Sequence, residues 1–173
     1  MDELRPGLWT WTGRRPGWTP DEKHWGPDVR SYAFVRDDRV LLFDPIDPPD
    51  AFLAGRTAEI VLTAEWHKRS SPSLGLTVHD AGDPLPDGVE ARPAFYLPEE
   101  RFLWLPQEHA LIAGDSLPAG GEVPDAWLDV PRAEYRARLH PLLELPVELL
   151  LPTHGDPIVE DAHAHLERAL GSR

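Results

Sequence analysis

The stretch that decides the fold reads Ile60-Val61-Leu62-Thr63-Ala64-Glu65-Trp66-His67-Lys68-Arg69-Ser70. Its first three residues are apolar and are bounded by turn chemistry, a pattern that predicts a short buried strand. The strand stops at the small residues Thr63 and Ala64, and a run that contains His67, Lys68 and Arg69 follows it. Because the rigid end of a strand holds side chains in place, we expect functional residues at this position.

Two later stretches repeat the same arrangement of an apolar run that ends at a polar, titratable turn. Gly114-Asp115-Ser116 follows the apolar residues 110–113, and Thr153-His154-Gly155-Asp156 follows residues 149–152. We therefore expect three strand tips to converge and to surround a common hollow with donor side chains.

The rest of the chain predicts further short strands and three helices. Strands are expected at residues 8–12, 31–35, 39–43, 77–79, 89–93, 101–105 and 147–151. Helices are expected at residues 51–58 and 161–170, capped by Asp50 and Asp161, and at residues 132–145, where Pro141 must kink or split the helix. Residues 68–88 are expected to be mostly loop, without a helix. The alternation indicates a mixed α/β fold.

Length and charge limit the classes of function that the chain can have. The 173 residues are predicted to form a single domain, residues 1–173. A net charge of −13 excludes electrostatic capture of nucleic acid or of an anionic membrane. Zero cysteines exclude a disulfide scaffold, a cysteine-rich zinc site and a thiol nucleophile.

Two observations bear on the compartment. No apolar run approaches the ~18 residues that a membrane-spanning helix requires. The first six residues contain Asp2 and Glu3, where a signal peptide has a basic stretch followed by an apolar one. We therefore expect a cytoplasmic protein.

Five segments, in their order and rough spacing, resemble the landmarks of the metallo-β-lactamase fold family. They are Ser31-Tyr32-Ala33-Phe34, Leu41-Leu42-Phe43-Asp44-Pro45, Ile60-Val61-Leu62-Thr63, Ala113-Gly114-Asp115-Ser116-Leu117 and Leu151-Pro152-Thr153-His154-Gly155. The resemblance implies an αβ/βα sandwich, in which two β-sheets pack face to face with helices on the outer faces. It also implies a site at the edges of the sheets.

The family resemblance also implies a metal-ligand pattern, which this chain matches only in part. The pattern is Thr-His-x-His-x-Asp-His, a further His in mid-chain, an Asp and a last His. Asp115 matches that Asp and His154 matches the last His. The mid-chain His falls near Ala94 or Phe95. Aligned without gaps, the cluster positions after Thr63 hold Ala64, Trp66, Lys68 and Arg69.

A one-residue bulge after Thr63 gives a second alignment, with His67 at the second His position, Glu65 at the first and Arg69 at the Asp. The resemblance then implies a site of His67, Asp115 and His154, which suffices for one zinc or other divalent metal ion. Two other arrangements remain open. Lys68 or Arg69 pairs with Asp115, or the two cations fix a small anionic substrate with no metal present. Asp44 is interpreted as stabilising a strand end.

Two hypotheses of function follow, and a third is set aside. In the first, the chain is a hydrolase-like protein with an atypical, metal-poor site, in which His67, Asp115 and His154 activate water for ester or amide hydrolysis. Arg69 then stabilises the developing negative charge. In the second, it is a non-catalytic relative that serves as a binding or interaction module. Gly114-Asp115-Ser116-Leu117 also spells a serine-esterase signature, but the late partner pair of that family is one residue short in Asp161-Ala162-His163.

Overall fold

The computed structural model describes residues 1–21, 25–94, 99–118 and 128–171. The chain forms two compact units, Met1–Leu85 and Pro86–Arg173. Each unit contains one β-sheet and short helices, so the predicted mixed α/β class holds for both. No helix in the described part of the chain is long and apolar enough to cross a membrane.

The first unit is built on a six-stranded sheet of order β1-β2-β3-β4-β5-β6. Its strands are β1 Asp2–Arg5, β2 Leu8–Arg14, β3 Asp28–Arg36, β4 Arg39–Phe43, β5 Thr57–Val61 and β6 Thr77–His79. The strands from β1 to β4 pair antiparallel, whereas β5 runs parallel to both β4 and β6. Because parallel strands need a crossover, helices α1 (Asp50–Leu53) and α2 (Ser71–Leu74) occupy the two connections.

Alternating apolar residues of the central strands form the core of this unit. Val40 and Leu42 of β4 point to the same face, as do Ile60 and Leu62 along and just beyond β5. Phe52 of α1 packs on that face, with its ring centroid 5.5 Å from that of Trp11. The packing brings the carboxyl ends of β4 and β5 side by side, with Phe43 in register with Val61.

The second unit is built on a four-stranded sheet of order β10-β9-β8-β7. Its strands are β7 Glu90–Pro93, β8 Arg101–Leu105, β9 Ala110–Gly114 and β10 Leu149–Pro152. Helix α3 (Arg132–Leu139) continues into a 3-10 segment at His140–Glu144, and helix α4 (Ala162–Leu170) closes the unit. Strands β9 and β10 are parallel, so their carboxyl ends lie at the same edge of the sheet.

The helices of the second unit pack on its sheet through a continuous apolar cluster. Tyr135 and Leu139 of α3 and Leu166 of α4 are buried against Phe102 of β8 and Leu150 of β10. Tyr135 and Leu139 lie four residues apart, and so share one face of their helix. Burial of this face fixes α3 on the sheet.

The sequence predicted the main elements correctly but missed some details. The hairpin of residues 31–35 and 39–43 is confirmed, and so is the split of the later helix at Pro141. The cap expected at Asp50 was wrong, because Pro49 occupies that position. Asp161 does occupy the cap position of α4, but its side chain makes no capping hydrogen bond. The expectation of no helix in residues 68–88 was also wrong, since the single turn of α2 lies there.

Gly7, in the turn between β1 and β2, offers a test of this architecture. Its φ is +81°, and a Cβ at this position would lie 2.5 Å from the carbonyl oxygen of Val35. We expect Gly7→Ala to lower the free energy of unfolding by about 2–3 kcal/mol, measured by urea denaturation, because backbone strain and a clash with backbone add together. Gly17→Ala is the control, since Gly17 has a φ of +75° and open space. Equal losses in the two variants would contradict the clash.

Candidate functional site

The residues singled out in the sequence lie in two clusters, one in each unit. His67 and Arg69 belong to the first unit, beyond the carboxyl ends of β4 and β5. Asp115 and His154 belong to the second unit, directly beyond β9 and β10. Each cluster therefore lies at strand ends, as the sequence predicted, and in both cases the strands concerned are parallel.

The first cluster is centred on the carboxylate of Asp44, which is 2 % exposed. Oδ1 of Asp44 accepts a hydrogen bond from the backbone N–H of Thr63 at 2.8 Å, and Oδ2 accepts one from Oγ1 of Thr63 at 2.6 Å. The adjacent parallel strands place the two residues side by side, since β4 ends just before Asp44 and β5 two residues before Thr63. The carboxylate thus ties the two strand ends together.

His67 is attached to this pair through one nitrogen of its ring. It lies in a 3-10 turn, Glu65–Lys68, and its Nδ1 is 2.7 Å from Oγ1 of Thr63 and 3.2 Å from Oδ2 of Asp44. Because the hydroxyl of Thr63 donates its one proton to Asp44, Nδ1 of His67 must be the donor to Oγ1. When the ring is neutral, its lone pair is therefore on Nε2, the nitrogen that acts as a base or metal ligand in this tautomer.

The environment of Asp44 keeps the carboxylate ionised. Burial alone raises the pKa of Asp44, but the charges and hydrogen bonds of His67, Arg69 and Thr63 together outweigh burial and lower that pKa below its ordinary value. Nη1 of Arg69 also donates to the backbone carbonyl of Asp44 at 3.1 Å. A buried anion with the guanidinium of Arg69 beside it thus lies at the centre of the first cluster.

Lys68 and Arg69 have acidic or carbonyl partners within their own unit. Nζ of Lys68 lies 2.7 Å from Oδ2 of Asp80 and 3.1 Å from Oε1 of Glu65. The hydrogen bond to Asp80, followed by the one to Glu65, raises the pKa of Lys68. Arg69 has a φ of +39°, a conformation that non-glycine residues seldom adopt, and it contacts Asp44 from there. Both cations are thus engaged by neighbouring oxygen atoms.

The second cluster brings Asp115 and His154 together. β9 pairs in parallel with β10, and the backbone N–H of Thr153 donates to the carbonyl of Gly114 at 3.0 Å. This pairing places Nε2 of His154 3.4 Å from Oδ1 of Asp115. Both side chains are largely buried, with His154 at 7 % exposed. Two of the three strand tips expected to converge are therefore in contact.

Glu100 is a member of the second cluster that the sequence analysis missed. It immediately precedes β8 and is 4 % exposed. Oε1 of Glu100 accepts hydrogen bonds from the backbone N–H groups of Asp115 at 2.8 Å and of Ser116 at 3.2 Å. Oε2 accepts a hydrogen bond from the hydroxyl of Ser116 at 2.5 Å. One sequence signal existed, namely an acidic residue directly before a strand whose last four residues are apolar.

The metal ligands implied by the family pattern are incomplete among these residues. Zinc sites use three or four protein ligands. Within the described ranges, no group of three or more His, Asp or Glu side chains is arranged to hold a metal ion. Of the two positions for the mid-chain His, Ala94 is buried and Phe95 lies outside the described residues. The Asp115–His154 pair alone does not fit the family's zinc site.

Comparisons with known proteins identify the architecture. No protein-family sequence model matches the chain, and no curated protein is similar to it. Solved structures do match. A metallo-β-lactamase from Erythrobacter litoralis has 15% identity and a TM-score of 0.63, over 98% of this chain and 89% of its own. The chain has the metallo-β-lactamase fold.

Two further structures with this fold contain metal. FIM-1 from Pseudomonas aeruginosa, in a mono-zinc form, has 15% identity and a TM-score of 0.57, over 96% of this chain and 91% of its own. TTHA1623, in a di-iron-bound form, has 23% identity and a TM-score of 0.62, over 84% of this chain and 96% of its own. The likeness confirms the predicted fold class, an αβ/βα sandwich of the metallo-β-lactamase type.

Proposed function

We propose that this protein is a hydrolase-like member of the metallo-β-lactamase fold that cleaves esters or amides at an atypical, metal-poor site. The contact between Oδ1 of Asp115 and Nε2 of His154 at 3.4 Å carries the proposal. A carboxylate at this separation stabilises a positive charge on the imidazole, whose nitrogen atoms accept and release protons. The pair is therefore suited to general acid–base work on a water molecule.

The proposed reaction needs only a proton acceptor and a positioned acyl group. As the water oxygen attacks the acyl carbon, His154 takes one proton from water and the carbonyl electron pair moves to oxygen. When the intermediate collapses, the bond to the leaving oxygen or nitrogen breaks and the imidazolium returns the proton to the leaving group. Asp115 stabilises the imidazolium in between.

The first cluster supports a chemical role for His67 as well. Asp44 and Thr63 fix its tautomer, which is how proteins prepare an imidazole that acts through Nε2. We propose that His67 acts on a substrate or ligand through that atom. For Arg69 we retain the predicted role toward a small anionic substrate, although its contact with Asp44 already gives it a structural one.

The number of donors favours little or no metal. Two protein ligands hold zinc weakly compared with three or four, so we expect at most about one equivalent of a divalent metal ion per chain. The same shortage of ligands favours the second candidate function, a non-catalytic binding module. The two functions differ in whether the Asp115–His154 pair turns over a substrate.

A hydrolysis assay combined with metal analysis tests the proposal. Protein purified without chelator is assayed on activated esters and amides with anionic and neutral acyl groups, before and after dialysis against EDTA. We expect hydrolysis that survives EDTA, with a preference for anionic substrates. Activity that EDTA removes and zinc restores would assign the chemistry to a metal instead. No turnover on any substrate, with a Tm indifferent to EDTA, would favour the binding module.

A further inference from the structure

The carboxylate of Glu100 accepts three hydrogen bonds from two consecutive residues. The donors are the N–H of Asp115, the N–H of Ser116 and the hydroxyl of Ser116. A buried carboxylate is unfavourable unless such donors replace its lost hydration. Both oxygen atoms of Glu100 thus accept hydrogen bonds from the turn after β9, and Glu100 stabilises the conformation of this turn.

The three bonds act on the peptide groups that flank Asp115. The N–H of Asp115 belongs to the peptide plane before its Cα, and the N–H of Ser116 belongs to the plane after it. Peptide groups are rigid planes, so fixing both of them fixes φ and ψ of Asp115 and hence the direction of its Cβ. Glu100 thereby determines the direction of the Cα–Cβ bond of Asp115.

Two other contacts hold the same turn from different sides. The hydroxyl of Tyr135, on α3, donates to the carbonyl of Ser116 at 3.0 Å. The N–H of Thr153, just beyond β10, donates to the carbonyl of Gly114 at 3.0 Å. Gly114 itself has a φ of +55°, which lets the chain turn sharply at the end of the strand. The donors of the turn face Glu100, while its carbonyls face α3 and the chain beyond β10.

We propose that Glu100 is a positioning residue that locks the turn and thereby aims the carboxylate of Asp115 at His154. The inference rests on the proposed function, in which Asp115 and His154 are the working pair. It has a second consequence. The N–H groups of Asp115 and Ser116 are occupied by Glu100, so this turn does not offer them to a substrate oxyanion.

Three substitutions of Glu100 distinguish the effect of its hydrogen bonds from the effect of its side-chain volume. In Glu100→Gln the amide oxygen still accepts both N–H groups, and the hydroxyl of Ser116 rotates to accept from the amide nitrogen. Glu100→Asp keeps the charge but is one methylene too short. Glu100→Ala removes every acceptor. The neighbouring Glu99→Ala is the matched control, because Glu99 is exposed.

The main measurement is the ¹H–¹⁵N spectrum of the His154 ring and the Asp115 amide, which does not depend on turnover. We expect these resonances to move in the Ala and Asp variants and to stay in place in the Gln and Glu99→Ala variants. We expect kcat for ester hydrolysis to fall about 100-fold in Glu100→Ala with a smaller change in KM. Its Tm should fall by roughly 5–10 °C, since three buried donors lose their partner.

Chemical rescue provides a further readout. Added formate or formamide supplies the missing oxygen acceptor and is expected to restore the Asp115 amide resonance of Glu100→Ala, whereas methylammonium, which has no acceptor, is not. If Glu100→Ala does not fold, the Gln and Asp variants give the same contrast. Unchanged His154 and Asp115 resonances in the Asp variant would overturn the inference. Absence of hydrolysis in the unmodified protein would overturn the proposed function alone, since the spectra would still report on the turn.

Discussion

Replacing Asp44 with alanine is expected to lower the free energy of unfolding by about 3–5 kcal/mol. The carboxylate accepts both the N–H and the hydroxyl of Thr63, and it lies 3.2 Å from Nδ1 of His67. Removing it leaves the buried N–H and the buried hydroxyl of Thr63 without their acceptor, which is more costly than loss of the bonds alone. Urea denaturation monitored by tryptophan fluorescence measures the change.

Asp47→Ala is the matched control for this prediction. Asp47 lies three residues later and is exposed, and its carboxylate accepts one hydrogen bond from Ser70. We expect a loss of no more than about 1 kcal/mol, typical of an exposed hydrogen bond. If the two aspartates proved equally tolerant of alanine, the central role given to the Asp44 carboxylate would be wrong.

The same carboxylate gives stability a pH dependence of known sign. Its pKa is lowered in the folded protein, so the folded state binds fewer protons than the unfolded state in acid. The contribution of Asp44 is fully present above the unfolded-state pKa of about 3.9 and is lost as pH falls through the lower folded value. We therefore expect the stability difference between the unmodified protein and Asp44→Ala to shrink below about pH 4. A difference that stays constant down to strong acid would contradict the shift.

The second large effect concerns activity. We expect His154→Ala to reduce kcat/KM for ester hydrolysis by about 10²–10⁴-fold, the range that general acid–base catalysis contributes. Asp115→Asn should give a smaller reduction, because the amide still contacts the ring but no longer stabilises its charged form. Initial rates on the best ester substrate measure both variants.

The control for His154 is another histidine of the same unit. His163→Ala is suitable, since the His163 side chain is 40% exposed on α4 near Glu167. We expect this variant to keep full activity and nearly full stability. Should His154→Ala retain activity while its Tm falls, His154 is a structural residue and the proposed site is lost.

The sequence predicted those site residues that directly follow apolar runs. Asp115 comes directly after a buried strand and His154 two residues after another, and parallel pairing of those strands brings them together. Asp44 was interpreted only as a support for a strand end, because the bonds that show its link to His67 span 19 residues to Thr63. Glu100 was missed for a similar reason, since its three donors lie 15 and 16 residues later. Local sequence patterns identify strand ends. The role of a buried carboxylate depends instead on hydrogen-bond partners that are distant in the sequence, and a local pattern does not identify them.

The parallel pairing of β9 and β10 has a consequence for how this protein can vary. The spacing of Asp115 and His154 depends on strand register, in which Leu149 faces Ala110 and Leu151 faces Ile112. Of the described part of the connection between these strands, Tyr135 contacts the turn after β9 through its hydroxyl. Substitutions at exposed positions of α3, such as Glu134, are therefore expected to leave the spacing of Asp115 and His154 unchanged, whereas substitutions of Tyr135 are expected to change it. The geometry of the pair is thus set by the sheet and by one helix contact, and most of the exposed surface of this unit can change without altering it.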